Sequence, residues 1–379
     1  MAENDLRVLV VDDTVLYRKV LTMVLSEIPG VEVVGTAING KLALAKLGQL
    51  QPDLITLDFE MPEMDGLETL RQLRASGSNT PVVMISSHTK EGASVTMEAL
   101  QLGAFTFVTK PDAVNPMDAQ GQLLKQLQPV IASVINQTRG RTSVARPTTS
   151  TPKPVAEQTR TEAPPTPARP QATPDAGQPL SVPPPLPSAG FVKVVALGIS
   201  TGGPNALTVV IPKLPGNLRV PVLIVQHMPP VFTTALAESL DQKSKVKVLE
   251  GRDGMVIVAG TVYIAPGGMQ MRVARRGSDL VLETTDDPPE NHCKPAADYL
   301  FRSVAEHYGN RALGVIMTGM GSDGVLGLKV MKEQGIQVLA QDQQSCVVFG
   351  MPAEAIQVGV VDLVVPLDRI AAEIVKRVN

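Results

Sequence analysis

Residues 193–204 read Lys-Val-Val-Ala-Leu-Gly-Ile-Ser-Thr-Gly-Gly-Pro, an apolar run that ends in a glycine-rich turn. A continuous apolar run of this length is typical of a strand buried on both faces, as in a parallel sheet. The turn contains the pattern G-x-S-x-G around Ser200, and helical sequence follows from Asn205 to Lys213. Because a strand, a sharp turn and a helix follow one another here, the stretch predicts an α/β fold with an exposed serine at the sheet edge.

The rest of the second half repeats this pattern of apolar runs and helical stretches. Helical periodicity is predicted for Ala297–His307 and Gly324–Gln334, and a hairpin near Met271–Glu283. The sequence therefore predicts a doubly wound α/β domain. Its further strand candidates are residues 220–227, 261–266, 312–319, 336–340 and 361–366.

The first part of the chain predicts a second, independent sheet. Amphipathic helical stretches such as Tyr17–Glu27 and Leu67–Ala75 lie between short apolar runs. The alternation predicts a five-stranded doubly wound domain. Its strand candidates are residues 7–11, 31–35, 53–58, 81–86 and 104–108.

A proline-rich stretch separates the two predicted domains. Residues 138–190 contain few large apolar side chains and no helix or strand period. Such a segment cannot bury enough surface to offset its ordering entropy, so we expect a disordered, extended linker. The expected domains are residues 1–137 and 191–379.

Composition excludes several classes of protein. The formal net charge of the 379 residues is −3, and no basic stripe is visible, which argues against a nucleic-acid binder. No apolar stretch approaches the roughly 20 residues of a membrane span, and no signal pattern begins the chain. The two cysteines cannot form a disulfide framework and fit a reducing compartment. We therefore expect a cytoplasmic protein with no membrane insertion, and a monomer.

Polar side chains follow the predicted strands of the first domain. Asp12 and Asp13 follow the first strand, Asp58 ends the third, Ser86 the fourth and Lys110 the fifth. The carboxyl ends of parallel strands meet at one edge, so these side chains should converge. A divalent cation would relieve repulsion among the carboxylates, and oxygen ligands select a hard ion such as Mg²⁺.

The same motifs resemble the signatures of response-regulator receiver domains, over about residues 5–125. They are VVDDT, LITLDFEMPEMDG, VVMISSHT and FVTKP. The resemblance implies that a histidine kinase donates a phosphoryl group to Asp58. It also implies a Mg²⁺ ion held by Asp12, Asp13 and Asp58, switching through Ser86, Phe107 and Lys110, and a cis bond between Lys110 and Pro111.

A serine nucleophile needs a base and an acid that orients it. Of the four histidines, His227 ends the strand after Ser200, and Asp323 lies in a glycine-rich turn after residues 312–317. Three strand ends should thus bring Ser200, His227 and Asp323 to one edge. The remaining histidines are interpreted as surface residues outside the triad: His88, His292 and His307.

The order Ser, His, Asp differs from the Ser, Asp, His order of α/β-hydrolases. The stretches GISTGGPNAL, IVQHMPP, YIAPGG and IMTGMGSDG resemble the catalytic domain of the chemotaxis protein-glutamate methylesterases, the CheB family. The resemblance implies Ser200 as nucleophile, His227 as general base, Asp323 as its orienter, the Met320 N–H as oxyanion donor and Thr201 near the nucleophile. It implies methyl-ester hydrolysis on chemoreceptors, without a cofactor for the esterase.

One stretch departs from the family pattern. Cys293 and Ala296 stand where the family usually has a histidine and a serine. Neither Cys293 nor Cys346 has the His-Cys spacing of a zinc motif, so no zinc site is predicted.

Two alternatives stay open at this point. The second domain could be a non-catalytic output domain that binds a partner or a nucleotide, although no phosphate-binding glycine motif is present. It could also be an esterase in a signalling pathway other than motility.

Overall fold

The computed structural model describes residues 5–111, 116–142 and 192–378. It contains two parallel α/β sheets, one on each side of the predicted linker. Most of that linker, from residue 143 to 190, lies outside the described residues. No helix in the described part of the chain is long and apolar enough to span a membrane.

The first domain has the predicted five-stranded parallel sheet, in the order β2-β1-β3-β4-β5. Strands β3 and β4 are buried along their whole length, as the continuous apolar runs predicted. The strands are β1 (Leu6–Val11), β2 (Val31–Ala37), β3 (Leu54–Asp58), β4 (Val82–Ser86) and β5 (Thr106–Thr109).

Five helices cover the two faces of this sheet. Three begin at a side-chain cap that satisfies a free backbone N–H: Asn39, Asp65 and Thr89. The helices are α1 (Val15–Ser26), α2 (Gly40–Leu50), α3 (Gly66–Ala75), α4 (Lys90–Gln101) and α5 (Pro116–Thr142). Helix α5 therefore continues past residue 137, where the sequence placed the start of the linker.

The second domain has a seven-stranded sheet in the order β14-β13-β12-β6-β7-β9-β8, again parallel. All six predicted strands are present, and the predicted hairpin is β10 with β11, antiparallel. The strands are β6 (Val194–Ile199), β7 (Val222–Gln226), β8 (Lys247–Glu250), β9 (Thr261–Ile264), β10 (Gln270–Arg276), β11 (Asp279–Thr285), β12 (Ala312–Ile316), β13 (Gln337–Gln341) and β14 (Leu363–Val365).

Strand β8 was not predicted. It is short and lies at the sheet edge, and only Val248 of its four residues is buried. The helices of this domain are α6 (Gly203–Val210), α7 (Phe232–Asp241), α8 (Ala297–Tyr308), α9 (Val325–Glu333), α10 (Met351–Gln357) and α11 (Leu367–Val378).

The two domains pack against each other through α4 of the first and α6 and α7 of the second. The ring of Phe107, one of the predicted switch residues, stacks on Phe232 with 4.5 Å between centroids. The Gln101 side chain donates a hydrogen bond to Ser239 Oγ at 2.7 Å, and Asn205 Nδ2 donates to the Ala104 carbonyl at 3.1 Å. Apolar side chains from both domains join in one buried cluster at this interface.

Candidate active sites

Ser200 lies in the turn between β6 and α6, as the sequence predicted. Its backbone N–H donates to the Thr318 carbonyl at 2.9 Å, which ties the turn to the loop after β12. Gly202 adopts φ +79°, and a Cβ there would lie 2.4 Å from Val347. A larger residue would therefore be strained in backbone conformation and would collide with a side chain, so the turn requires glycine.

His227 and Asp323 meet across the ends of β7 and β12. His227 Nε2 lies 2.7 Å from Asp323 Oδ2, and both side chains are largely buried. Asp323 accepts three further hydrogen bonds, from the backbone N–H groups of Ala297 and Asp298 and from Asn291 Nδ2. The carboxylate is thus fixed in position by four donors.

These contacts set the charge of the pair. Burial alone would raise the pKa of Asp323, but the hydrogen bonds from His227 and the backbone outweigh it and lower that pKa. Burial alone would lower the pKa of His227, but hydrogen bonds to Asp323 and Cys293 outweigh it and raise the pKa to about 9. The pair therefore favours an imidazolium beside a carboxylate.

The Ser200 hydroxyl and the His227 ring are not joined by a hydrogen bond in the part of the chain described. Since Nε2 is engaged by Asp323, Nδ1 is the nitrogen that remains for proton transfer. Nδ1 instead faces Cys293 Sγ at 3.6 Å. The structure thus brings the three predicted triad residues to one sheet edge and adds a thiol to them.

Cys293 lies in a tight turn between the hairpin and α8. Glu290 and Cys293 exchange both backbone hydrogen bonds, and the intervening Asn291 and His292 adopt positive φ angles. Asn291 and His292 are exposed, while Cys293 is half-buried. This turn therefore holds the thiol rigidly against the imidazole, at the position where the chain departs from the family pattern.

Two other predicted residues flank the nucleophile. Thr201 accepts a hydrogen bond on its carbonyl from Thr318 Oγ1 at 2.9 Å. Met320 is 40% exposed, and its backbone N–H has no acceptor among the described residues. The preceding Gly319 lies against Ser200, because a Cβ on it would be 2.8 Å from Ser200 Cβ. An N–H group without a partner is thus available near the serine.

Several supporting residues were not predicted from the sequence. Gln226 is buried and donates from Nε2 to the Ser200 carbonyl at 3.0 Å. Asn291 Nδ2 bridges Asp323 Oδ1 and Asp298 Oδ2. Asp298 is fully buried, and this burial raises its pKa to about 6. Of these three residues, only Gln226 had a feature in the sequence that could have indicated its role, because it directly precedes the strand-end His227.

The second cluster lies at the carboxyl edge of the first sheet. Lys110 Nζ lies 2.7 Å from Asp58 Oδ2 and 3.2 Å from Asp12 Oδ2. Burial is the main cause that raises the pKa of Asp58 to about 6, against the opposing effect of Lys110. Burial would lower the pKa of Lys110, but the two carboxylates outweigh it and raise that pKa.

The donor set fits a hard divalent cation. Oxygen atoms of Asp12, Asp13 and Asp58 all lie within 4.8 Å of one another. Asp12 Oδ2 is buried and accepts no hydrogen bond, since Lys110 approaches it at ion-pair distance without hydrogen-bond geometry. A cation bound by these oxygens would satisfy that acceptor.

The two remaining predicted switch residues have separate surroundings. Ser86 is buried, and its Oγ accepts from Thr96 Oγ1 at 2.8 Å and donates toward the Gly92 carbonyl at 3.3 Å, both in α4. Phe107 lies at the domain interface. The expected cis bond between Lys110 and Pro111 is wrong: the cis bond of the described chain is Lys294–Pro295. X-Pro amides prefer trans by only about 0.5–1 kcal/mol, so local sequence does not fix the isomer.

Comparisons with known proteins assign a family to each domain. The family model described as CheB methylesterase matches residues 195–374, and the one described as response regulator receiver domain matches residues 8–120. A protein-glutamate methylesterase/protein-glutamine glutaminase of Desulfotalea psychrophila is 45% identical over 99% of both chains. Proteins with the same name from Trichodesmium erythraeum and Bacillus subtilis are 42% and 41% identical, over at least 97% of each chain.

Two solved structures match one domain each. The CheB methylesterase catalytic domain of Thermotoga maritima is 40% identical, with 48% of this chain and 97% of that chain covered and a TM-score of 0.48. The response regulator domain of the same organism's CheB is 39% identical, with coverages of 35% and 97% and a TM-score of 0.31. On the identity of the full-length relatives, the chain belongs to the CheB family of protein-glutamate methylesterases/protein-glutamine glutaminases.

Proposed function

We propose that this chain is a phosphorylation-regulated methylesterase that hydrolyses glutamate γ-methyl esters on chemoreceptors. The observation that carries this proposal is the buried His227–Asp323 pair at the sheet edge where Ser200 lies. The full-length relatives, which carry the methylesterase name, support the same activity. The non-catalytic alternative has no support from any of these findings.

The reaction is acyl transfer through the serine. Ser200 Oγ attacks the ester carbonyl while His227 Nδ1 accepts its proton, and Asp323 holds the ring by Nε2–H. The contact between Ser200 and Nδ1 forms when substrate is bound, as catalytic hydrogen bonds often tighten only then. The free N–H of Met320 donates to the oxyanion. Methanol leaves with the proton from His227, and water then hydrolyses the acyl-enzyme to glutamate.

The same machinery accepts a glutamine side chain. An amide carbonyl forms the same acyl-enzyme, and ammonia leaves in place of methanol. The curated relatives carry the second name protein-glutamine glutaminase, which supports deamidation as a second activity.

The first domain receives the regulatory phosphoryl group on Asp58, with a histidine kinase as donor. Mg²⁺ held by Asp12, Asp13 and Asp58 would neutralise charge that develops during the transfer. Lys110, now paired with Asp58, would move to the phosphoryl oxygens. Loss of this pairing, and a new contact to Ser86, would shift α4 and β5, which carry the domain interface.

Inhibition before phosphorylation follows from the packing of the domains. Helices α6 and α7 begin shortly after Ser200 and His227, and α4 packs against both. We infer that docking restrains these helices and limits access to the triad. Release then requires only that phosphorylation favours the undocked state.

The test is methanol release from methylated receptor, with and without acetyl phosphate. We expect a low rate that rises on addition of the phosphodonor with Mg²⁺. Asp58→Asn should keep the low rate and lose the rise, and Ser200→Ala should lose both. A Ser200→Ala protein that releases methanol at the wild-type rate would remove the nucleophile assignment. An esterase that ignores methylated receptor but hydrolyses other esters would favour the non-motility alternative.

A further inference from the structure

The pair formed by His227 and Cys293 is not used by the proposed reaction. Cys293 Sγ lies 3.6 Å from His227 Nδ1, and the two residues are far apart in sequence. The thiol is half-buried and the imidazole is 13% exposed, so both keep some contact with solvent.

The distance between these two atoms matches a metal site. Zinc bonds to an imidazole nitrogen are about 2.0–2.1 Å long and bonds to thiolate sulfur about 2.3 Å, so two ligands of a tetrahedral ion lie roughly 3.6 Å apart. Imidazole and thiolate also select zinc-like ions over Mg²⁺. Both atoms are therefore placed, before any metal binds, at the separation that such an ion requires.

The surroundings fix the histidine for this role. Asp323 Oδ2 accepts from Nε2–H, which leaves Nδ1 as the ring nitrogen that faces the thiol. A carboxylate behind a histidine in this way is the usual support of zinc-binding imidazoles. An oxygen of Asp323 is a third possible ligand atom, within 4.8 Å of the ligand atoms of His227 and Cys293. The Asp323 oxygens already accept four hydrogen bonds, so we assign this residue only the role of orienting His227.

The thiol is positioned as firmly as the imidazole. The paired backbone hydrogen bonds of Glu290 and Cys293 close the turn, and the two residues between them, Asn291 and His292, are exposed. Two coordination positions would remain for water or a substrate oxygen.

We propose that His227 Nδ1 and Cys293 Sγ form an inhibitory binding site for a thiophilic divalent cation such as Zn²⁺. Binding releases the thiol proton and the Nδ1 proton of the imidazolium to solvent, and forms the N–metal and S–metal bonds. Nδ1 then has no lone pair to accept the Ser200 proton, so the esterase stops. The inhibitory consequence rests on the proposed function, whereas the binding does not.

Binding is tested first, without turnover. Co²⁺ is added to the full-length Ser200→Ala protein in saturating Mg²⁺, and thiolate-to-cobalt charge-transfer absorption is recorded in the near ultraviolet. We expect a band that Zn²⁺ displaces and that a further Cys293→Ala substitution removes. Cys346→Ala is the matched control and should keep the band. A band that persists without Cys293, or no band at all, overturns the site even if the esterase assignment fails.

Inhibition is tested on the active protein in buffered Zn²⁺, with each variant compared with its own metal-free rate. We expect wild type and Cys346→Ser to be inhibited reversibly, with activity restored by a chelator, and Cys293→Ser to need at least tenfold more Zn²⁺. Equal sensitivity of Cys293→Ser and wild type, or no inhibition of wild type, overturns the proposal.

Discussion

Each candidate site has a buried aspartate near the carboxyl edge of a parallel sheet, and the surroundings of the two aspartates differ in opposite directions. Asp323 accepts four hydrogen bonds, and its pKa is lowered. Asp58 accepts one from the Phe59 N–H and one from Lys110, and burial raises its pKa to about 6. Beside it, the buried Asp12 Oδ2 accepts none.

The difference fits the roles that we propose for the two carboxylates. A residue that must orient a histidine through every turnover benefits from partners that cannot move, because fixed dipoles need no reorganisation. A residue that gains and loses a phosphoryl group needs a neighbourhood that is incomplete until the group and its cation arrive. The surroundings of Asp323 in the second domain are therefore suited to a fixed carboxylate, and those of Asp58 in the first domain to a carboxylate whose partners change.

The sharpest test of this contrast makes the same substitution at both sites. Asp323→Asn should lower the esterase kcat by about 10³- to 10⁴-fold, because the amide no longer holds the productive tautomer of His227. Asp58→Asn, its matched control, should retain the basal rate. Methanol release measures both effects, and phosphoryl labelling should show the reverse pattern. A basal rate that falls equally in both variants would mean that the two aspartates do not have separate tasks.

The charge on His227 should dominate the pH dependence of the esterase. Hydrogen bonds to Asp323 and Cys293 raise its pKa to about 9, and only the neutral ring can act as the base. We therefore expect kcat/KM to increase with pH, by about tenfold per unit below that value. Cys293→Ala removes one of the contacts that raise the pKa of His227, so the increase in kcat/KM should occur at lower pH. Cys346→Ala should leave the profile unchanged. A profile that is flat from pH 6 to 9 would contradict this.

A smaller effect is expected at the interface that connects the two regions. The Phe107–Phe232 stack should be worth about 0.5–1.5 kcal/mol, so Phe107→Ala should raise the unphosphorylated rate by roughly two- to tenfold. Phe105→Ala is the control, since Phe105 packs against a core cluster within the first domain. The assay is the basal rate of the full-length chain. An unchanged rate in Phe107→Ala would show that the stack does not hold the inhibited state.

The smallest effect concerns stability in the second domain. Asp298 has a folded-state pKa of about 6, above its unfolded value, so its ionisation opposes folding above that pH. Asp298→Asn should gain free energy of unfolding relative to wild type at pH 7.5, on the order of 1–3 kcal/mol less any lost hydrogen bonding. The relative gain should shrink as pH falls through 6 toward 4. Urea unfolding at pH 5 and pH 7.5 measures the difference, and a gain that is independent of pH would contradict the assignment.

The sequence predicted the elements whose signal is local. Strands such as β3 and β6 are continuous apolar runs, and Ser200, His227, Asp58 and Lys110 follow strand ends, so topology alone brings them together. Strand β8 was missed because an edge strand with three partly or fully exposed residues lacks such a run. Helix α5 extends past the predicted boundary through polar residues with no apolar period.

The parts that could not be predicted depend on side chains from distant loops. Asn291 reaches Asp323 only because a turn with positive φ angles places it there. The His227–Cys293 contact could not be predicted for a similar reason. Zinc motifs are recognised by short spacings between ligands, whereas these two residues lie in different loops that are far apart in sequence. Proximity of this kind follows from tertiary packing and not from any local pattern.

The apolar interface also has a thermal consequence. Undocking would expose side chains that the two domains now bury in one cluster around Phe232. Exposure of apolar surface increases the heat capacity, and hydrophobic association weakens on cooling. The docked, inhibited state should therefore become less stable on cooling. At low temperature the rate of the unphosphorylated enzyme should then lie closer to the rate of the phosphorylated enzyme. In a cell that depends on this protein, the factor by which phosphorylation increases the methylesterase rate would therefore depend partly on temperature.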